Sequence, residues 1–224
     1  MIFASLMGVM GGVSAQSGQT RSVSGFNSIA NAGPFAVHVK LDGTESLKIV
    51  GDPSVVSEME TVVTGGNLEI RFRRDHREHN FSGRIDVYVT ARSLSGLTVS
   101  SSGSLDVDGV VSASDVAVTL SGSGSITSAV QSSQLGATIS GSGSIHLKGS
   151  ATDTRVTISG SGKLSADALK AQKADVTISG SGDAYINVDK TISASIVGSG
   201  SVIYSGNATI SDARIVGSGR VRKG

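Results

Sequence analysis

Four arginines and two histidines crowd one stretch, Arg71-Phe-Arg73-Arg74-Asp-His76-Arg77-Glu-His79. These are the residue types of an anion or metal site. The two imidazoles stand three positions apart, however, in no established ligand pattern, and the chain has no cysteine to supply a thiolate. Neither a metal nor a cofactor is expected. Arg71, Arg73, Arg74, His76, Arg77 and His79 read as a charged hairpin tip whose best use is surface contact with an anion or a partner.

Other constellations that carry chemistry are missing. No Gly-x-Ser-x-Gly nucleophile elbow occurs, and no Glu follows Glu78. Asp115, Asp153, Asp167, Asp175, Asp183, Asp189 and Asp212 read as turn residues at differing offsets, so no stacked pair of catalytic carboxylates is expected. No helical pattern follows the glycine-rich copies, which excludes a phosphate loop and a dinucleotide site. Lys plus Arg is 19 and Asp plus Glu 18, a balance that argues against a nucleic-acid partner. The chain is read as non-enzymatic.

The glycines organise the second half. Gly-Ser-Gly recurs as Gly122/Gly124, Gly141/Gly143, Gly160/Gly162, Gly180/Gly182, Gly198/Gly200 and Gly217/Gly219, in steps of 19, 19, 20, 18 and 19 residues. Ser101-Ser102-Gly103 is a degenerate copy. The serines between the glycines hold the opposite parity from the neighbouring aliphatics. In one copy Val156, Ile158, Gly160, Gly162, Leu164 and Ala166 fall on one face of an extended chain. Such a coil cannot bury its inner face alone. Stacked at about 4.8 Å, six or seven coils make a rod of roughly 30 Å with a ladder Leu120, Ile139, Ile158, Ile178, Ile196 and Ile215 inside. The position after each motif holds Ser125, Ser144, Lys163, Asp183, Ser201 and Arg220, so one acid in six excludes a calcium ladder. Outside, Thr119, Thr138, Thr157 and Thr177 line up, as do Ser121, Ser140, Ser159 and Ser179. This hydroxyl array would suit an ordered lattice, but Arg214, Val197 and Val216 break it where it should continue.

The predicted fold is all-β: a solenoid of about 19-residue coils over 96–224, preceded by a β-rich lead domain with one short helix over 22–95. In the lead, Phe35–Leu41 alternates as a strand, Asp42-Gly43 turns, and Ser46–Val50 returns as its hairpin partner. Asp52-Pro53 opens a helix through Val55, Val56 and Met59. Residues 1–15 read as a signal peptide: an uncharged apolar run, then Val13-Ser14-Ala15 as a cleavage site. The usual positive n-region is missing, which points to a start upstream of Met1. Retention as an uncleaved anchor is the alternative.

Several lead segments carry a family likeness: Phe26-Asn-Ser-Ile29, Gly33-Pro-Phe35 running into Val37-His-Val39, Leu47-Lys-Ile-Val-Gly-Asp52 and Gly66-Asn-Leu68-Glu-Ile70. With the Ser-Gly-Ser-Gly coils from Ser121 onward, the stretch from Val23 to Gly224 resembles the putative auto-transporter adhesin, head GIN domain family. The resemblance implies an exported, right-handed β-helix of the periplasm or cell surface, with no established catalytic residue. The expected function is a structural or binding module, adhesin-like. A carbohydrate-binding or carbohydrate-active protein is the alternative, and an envelope protein, a polysaccharide or a second copy of the chain are the partners to consider.

Overall fold

The computed structural model describes residues 18–73 and 83–224. The expected leader, 1–15, lies outside the described residues, as do Arg74, His76, Arg77 and His79.

The chain begins with β1 (Gly18–Arg21), β2 (Ser28–Asn31), β3 (Ala36–Leu41) and β4 (Ser46–Val50). One short helix follows, α1 (Pro53–Ser57), capped by Asp52, whose carboxylate accepts from Ser54 N at 2.8 Å and Ser54 Oγ at 2.6 Å. Those bonds, the hydroxyl's first, hold the Asp52 carboxyl below its ordinary pKa. Next come β5 (Met59–Thr64) and β6 (Asn67–Phe72), a hairpin closed by Gly65 and Gly66, both with positive φ. Then come β7 (Asp86–Ala91) and β8 (Gly96–Val99). The coils are β9 (Ser104–Gly122), β10 (Ser125–Gly141), β11 (Ser144–Gly160), β12 (Lys163–Gly180) and β13 (Asp183–Gly198), each bending around corners. The last turns are β14 (Ser201–Ser205), β15 (Thr209–Gly217) and β16 (Arg220–Lys223). The whole is a β-solenoid of about 7 coils after a β-rich N-terminal region.

From β9 onward every coil pairs in parallel with the next. The register places Leu120, Ile139, Ile158, Ile178, Ile196 and Ile215 in one ladder. Ile139 is 1% exposed and Ile158 and Ile178 0%. Each such side chain contributes about 1.5–3 kcal/mol by leaving water. Ile215 keeps the register but not the burial expected of it, because among the described residues no further coil covers that rung. The 20- and 18-residue steps do not disturb this ladder. Register shifts at His146/Lys148, Ala166/Lys170 and Ala171/Lys173 absorb the difference on another side of the coil.

The parity of the sequence put both glycines of each pair on the inner face, and the structure corrects this, since the two have distinct roles. The second, as at Gly124, Gly143, Gly162, Gly182 and Gly200, is buried against the coil below. A Cβ on Gly182 would lie 2.6 Å from both Gly162 O and Ile158 Cγ2, and one on Gly200 would lie 2.4 Å from Gly182 O. Gly219 departs from the expected inner position. It is half-buried, because no coil among the described residues covers it, although a Cβ on it would still lie 2.6 Å from Ile196 Cγ2. The first glycine of each pair sits at the turn, half-buried or exposed, as at Gly198 and Gly217. Its φ lies between +112° at Gly160 and +126° at Gly180, a backbone that L side chains rarely adopt. Its carbonyl accepts from the next coil: Ser142 N at 3.1 Å and Gly143 N at 3.0 Å both reach Gly122 O. The same bonds recur at the last corners, where Gly200 N reaches Gly180 O at 3.2 Å and Gly219 N reaches Gly198 O at 3.0 Å. The degenerate copy turns the same corner, with Gly124 N donating to Ser101 O at 3.1 Å.

The lead region is stacked on this rod through the same sheet. β2 lies between β6 and β8, and β3 between β7 and β9, all parallel. Thus β6–β7, β2–β3 and β8–β9 form successive rungs in an order that the chain does not follow. The expected β3–β4 hairpin does not form, because parallel strands occupy both edges of β3. Instead β4 lies antiparallel on β7, and β1 on β4. Nor do β6 and β7 pair with each other; β6 lies between β2 and β5, and β7 between β3 and β4. The helix stops at Ser57, and Met59 opens β5. Antiparallel β5 and β4 close this end of the sheet. At the β2–β3 corner, buried Asn31 donates to Phe35 O (2.9 Å) and Ser104 O (3.1 Å) and accepts from Gly33 N (3.2 Å). One hydrophobic cluster runs from Phe26 in the lead to Ala208 in the last coils.

Two substitutions test this packing by urea unfolding. Gly182→Ala should cost about 1–3 kcal/mol through overpacking, while Ser181→Ala stays within about 0.5 kcal/mol. Thr154, 3% exposed, has an Oγ1 without a hydrogen-bond partner among the described residues. Thr154→Val should therefore stabilise the fold by about 1 kcal/mol.

Candidate functional site

One outward row of side chains runs from β4 through to the last coil. Strand register joins Lys48 to Tyr88, Tyr88 to His38, His38 to Asp106, and Asp106 to Thr127, His146, Ser165, Tyr185, Ile203 and Arg222 in turn. All are exposed or half-buried. The period-2 alternation of each strand sends its Val, Ile or Leu neighbours inward and leaves this row in water.

Four of the ten are rings. Tyr88, 48% exposed, stacks on His38 with centroids 5.1 Å apart and planes at 25°. Asp86 holds the pair in place: its Oδ1 lies 3.0 Å from His38 Nε2 and accepts from Arg84 Nε at 2.9 Å. Farther along, Lys163 Nζ lies 4.7 Å from the Tyr185 ring centroid. His146 and Tyr185 stand two rungs apart, about 9.6 Å at the strand spacing. Charges of both signs flank the row, among them Lys40, Asp108, Lys163 and Asp183. The arrangement suits a polar, extended molecule of little net charge.

The arginine cluster behaves differently from its sequence reading where it is described. Arg71 pairs with Glu60 (3.2 Å) and Glu69 (3.1 Å), so two carboxylates already neutralise it. Arg73 lies near Arg21; burial first, and then the charge of Arg73, lower the Arg21 pKa from its ordinary value. Arg21 spends its guanidinium on Met59 O and Val56 O, at 2.8 and 2.9 Å.

The aspartates also need correction. Asp115 and Asp153 share one row with Gln134 between them, followed by Lys173. Arg155, Asp175, Ser193 and Asp212 continue the adjacent row. The spacing Asp115 to Asp153 is two coils, which the sequence reading missed. In these two rows no two carboxylates stand on neighbouring rungs; Asp153 and Asp175 each neighbour a cation. Among the described residues there is no group of three or more His, Asp or Glu placed to hold a metal ion, and no helix is long and apolar enough to cross a membrane. The hydroxyl rows align as expected: Thr119 to Thr177, then Ser195 and Arg214, beside Ser121 to Ser179, then Val197 and Val216.

The row of rings was within partial reach of the sequence. His146, Ser165 and Tyr185 follow the repeat spacing. Tyr88 and His38 do not, because they join the row through rungs that carry no Gly-Ser-Gly and are out of chain order.

A closed lead end, parallel coils and an exposed face define a β-solenoid protein. Residues 25–208 match the family model described as putative auto-transporter adhesin, head GIN domain, and the chain belongs to that family. Solved structures share the fold. A putative adhesin of Bacteroides fragilis is 21% identical, with 94% of this chain and 97% of that one covered and a TM-score of 0.85. A structure named putative lipid binding protein, from Parabacteroides distasonis, is 22% identical, covering 95% and 98% with a TM-score of 0.76. A putative adhesin of Parabacteroides merdae is 19% identical, covering 95% and 98% with a TM-score of 0.72. No curated protein matches the chain.

Proposed function

We propose that this chain is a non-enzymatic, adhesin-like binding module of the cell envelope, exported to the periplasm or outer surface, and that it holds an extended polysaccharide along its ringed face. The row from Lys48 to Arg222 carries the reading, because it is continuous through lead and coils. A sugar ring presents C–H groups that pack on an aromatic face, while its hydroxyls bond to flanking carboxylates, amines and serines. Tyr88, His38, His146 and Tyr185 offer the faces; Asp86, Asp106, Lys163 and Asp183 offer the polar partners. Mixed charge on the row disfavours a polyanion. The inner ladders fill the coil, which directs a ligand to the outside. The adhesin and lipid-binding names belong to the related structures, and the adhesin name agrees with this reading.

A glycan array and a hydrolysis assay run on the same polysaccharides test it. Binding without turnover is expected, and Tyr88→Ala/Tyr185→Ala should weaken it roughly tenfold. Turnover of any polysaccharide would defeat the non-enzymatic reading, and unchanged affinity in the double variant would defeat the assignment of this face. Cell fractionation with N-terminal sequencing of the mature chain should find it in the periplasmic or outer-membrane fraction; recovery in the cytosol would contradict export.

A further inference from the structure

The two ends of the rod are finished differently. At the lead end, antiparallel β4 and β1 extend the sheet from β7, and antiparallel β5 extends it from β6, so short antiparallel strands form that edge. At the other end, β15 pairs with β13 and β16 with β14, and among the described residues nothing pairs with their outer edges. Every residue of β15 is exposed. Ile210, Ile215 and Val216 are 44%, 41% and 55% exposed, three of the seven large apolar residues exposed among those described. The neighbouring edge strand, β16, carries Arg220, Arg222 and Lys223, charges that discourage strand addition. Apart from Asp212 and Arg214, β15 is uncharged. One edge of the same terminal turn is guarded and the other is left open.

The two charges on β15 have a definite symmetry. Ala213 is the midpoint of Thr209–Gly217, with Asp212 on one side and Arg214 on the other. A two-fold axis through Ala213 would lay β15 antiparallel on β15 of a second copy. Asp212 then faces Arg214 of the second copy, and Arg214 faces its Asp212. The same register brings Ile215 to Ser211, the residue at which β15 shifts register between Ile210 and Asp212. Centring the axis on Asp212 or Arg214 would instead oppose like charges, which is unfavourable across a strand pair.

We propose that two copies of this chain join tail to tail through the β15 edges, centred on Ala213, into a closed dimer with its two lead ends pointing outward. The edge amides and carbonyls of β15 gain partners, and its exposed aliphatics leave water. The contact is isologous and uses the edge once, so it stops at two copies. The proposal is independent of the ligand assigned to the ringed face.

Sedimentation equilibrium of the purified chain over micromolar concentrations tests it, with circular dichroism to confirm that each variant is folded. The wild-type chain should dimerise reversibly. Asp212→Arg and Arg214→Asp should each weaken the dimer about tenfold or more, because symmetry doubles every lost pair and every new repulsion. The double variant Asp212→Arg/Arg214→Asp restores both pairs with the signs exchanged and should recover the dimer. A chain that stays monomeric throughout, a dimer indifferent to either single reversal, or a double variant that fails to recover would each overturn the proposal.

Discussion

The rod stands on the main-chain bonds that carry the sheet around each Gly-Ser-Gly corner. A parallel solenoid must turn a strand without losing the partner strand below it. Here the carbonyl of each first glycine accepts from the corner above, as Gly122 O accepts from Ser142 and Gly143 N–H. Side chains at these positions would meet backbone: a Cβ on Gly141 would lie 2.5 Å from Gly122 O. Removing two Cβ atoms per coil lets neighbouring corners sit at strand spacing. The inner ladder of Leu and Ile can then pack in register, coil upon coil.

That constraint also explains how the rod can be so thin. Only 4% of the residues are aromatic, and the coil interior is closed by aliphatic ladders. Variation in coil length is kept away from the corner and taken up by register shifts elsewhere. The lead uses another device for the same turn: Asn31 bridges Phe35 O, Ser104 O and Gly33 N, so a buried amide ties the corner where no Gly-Ser-Gly is available. With corners solved in either way, the outer faces are free to vary, and the ringed row and the hydroxyl rows lie on that free surface.

The repeat half was legible because its periodicity is both sequential and spatial. Ile139, Ile158 and Ile178 stack as their spacing requires. Period alone does not say which rungs are covered, so Ile215 and Gly219 read like their counterparts although no coil among the described residues covers them. The lead was legible only as strands. Nothing local tells β2–β3 to insert between β6–β7 and β8–β9, since that order is set by long-range pairing rather than by a turn. The hairpin reading of Ser46–Val50 failed for this reason, and the Tyr88–His38 stack was hidden by it. The shared row of Asp115 and Asp153 was visible in principle: both precede the first glycine of their corner by seven residues. On the arginine stretch, sequence reasoning saw charge but not the two glutamates that neutralise Arg71, which come from its own strand and from β5.

Because the chain has no cysteine, spin labels can be placed in pairs on the corner serines without background. With one label at Ser123 and the second at Ser181, Ser199 or Ser218, the solenoid predicts separations of about 14, 19 and 24 Å, rising by one strand spacing per coil. A steady increment of about 4.8 Å from each pair to the next is the expected result. Separations that fail to grow with coil number, or that spread over a broad range, would contradict corners stacked along a single axis.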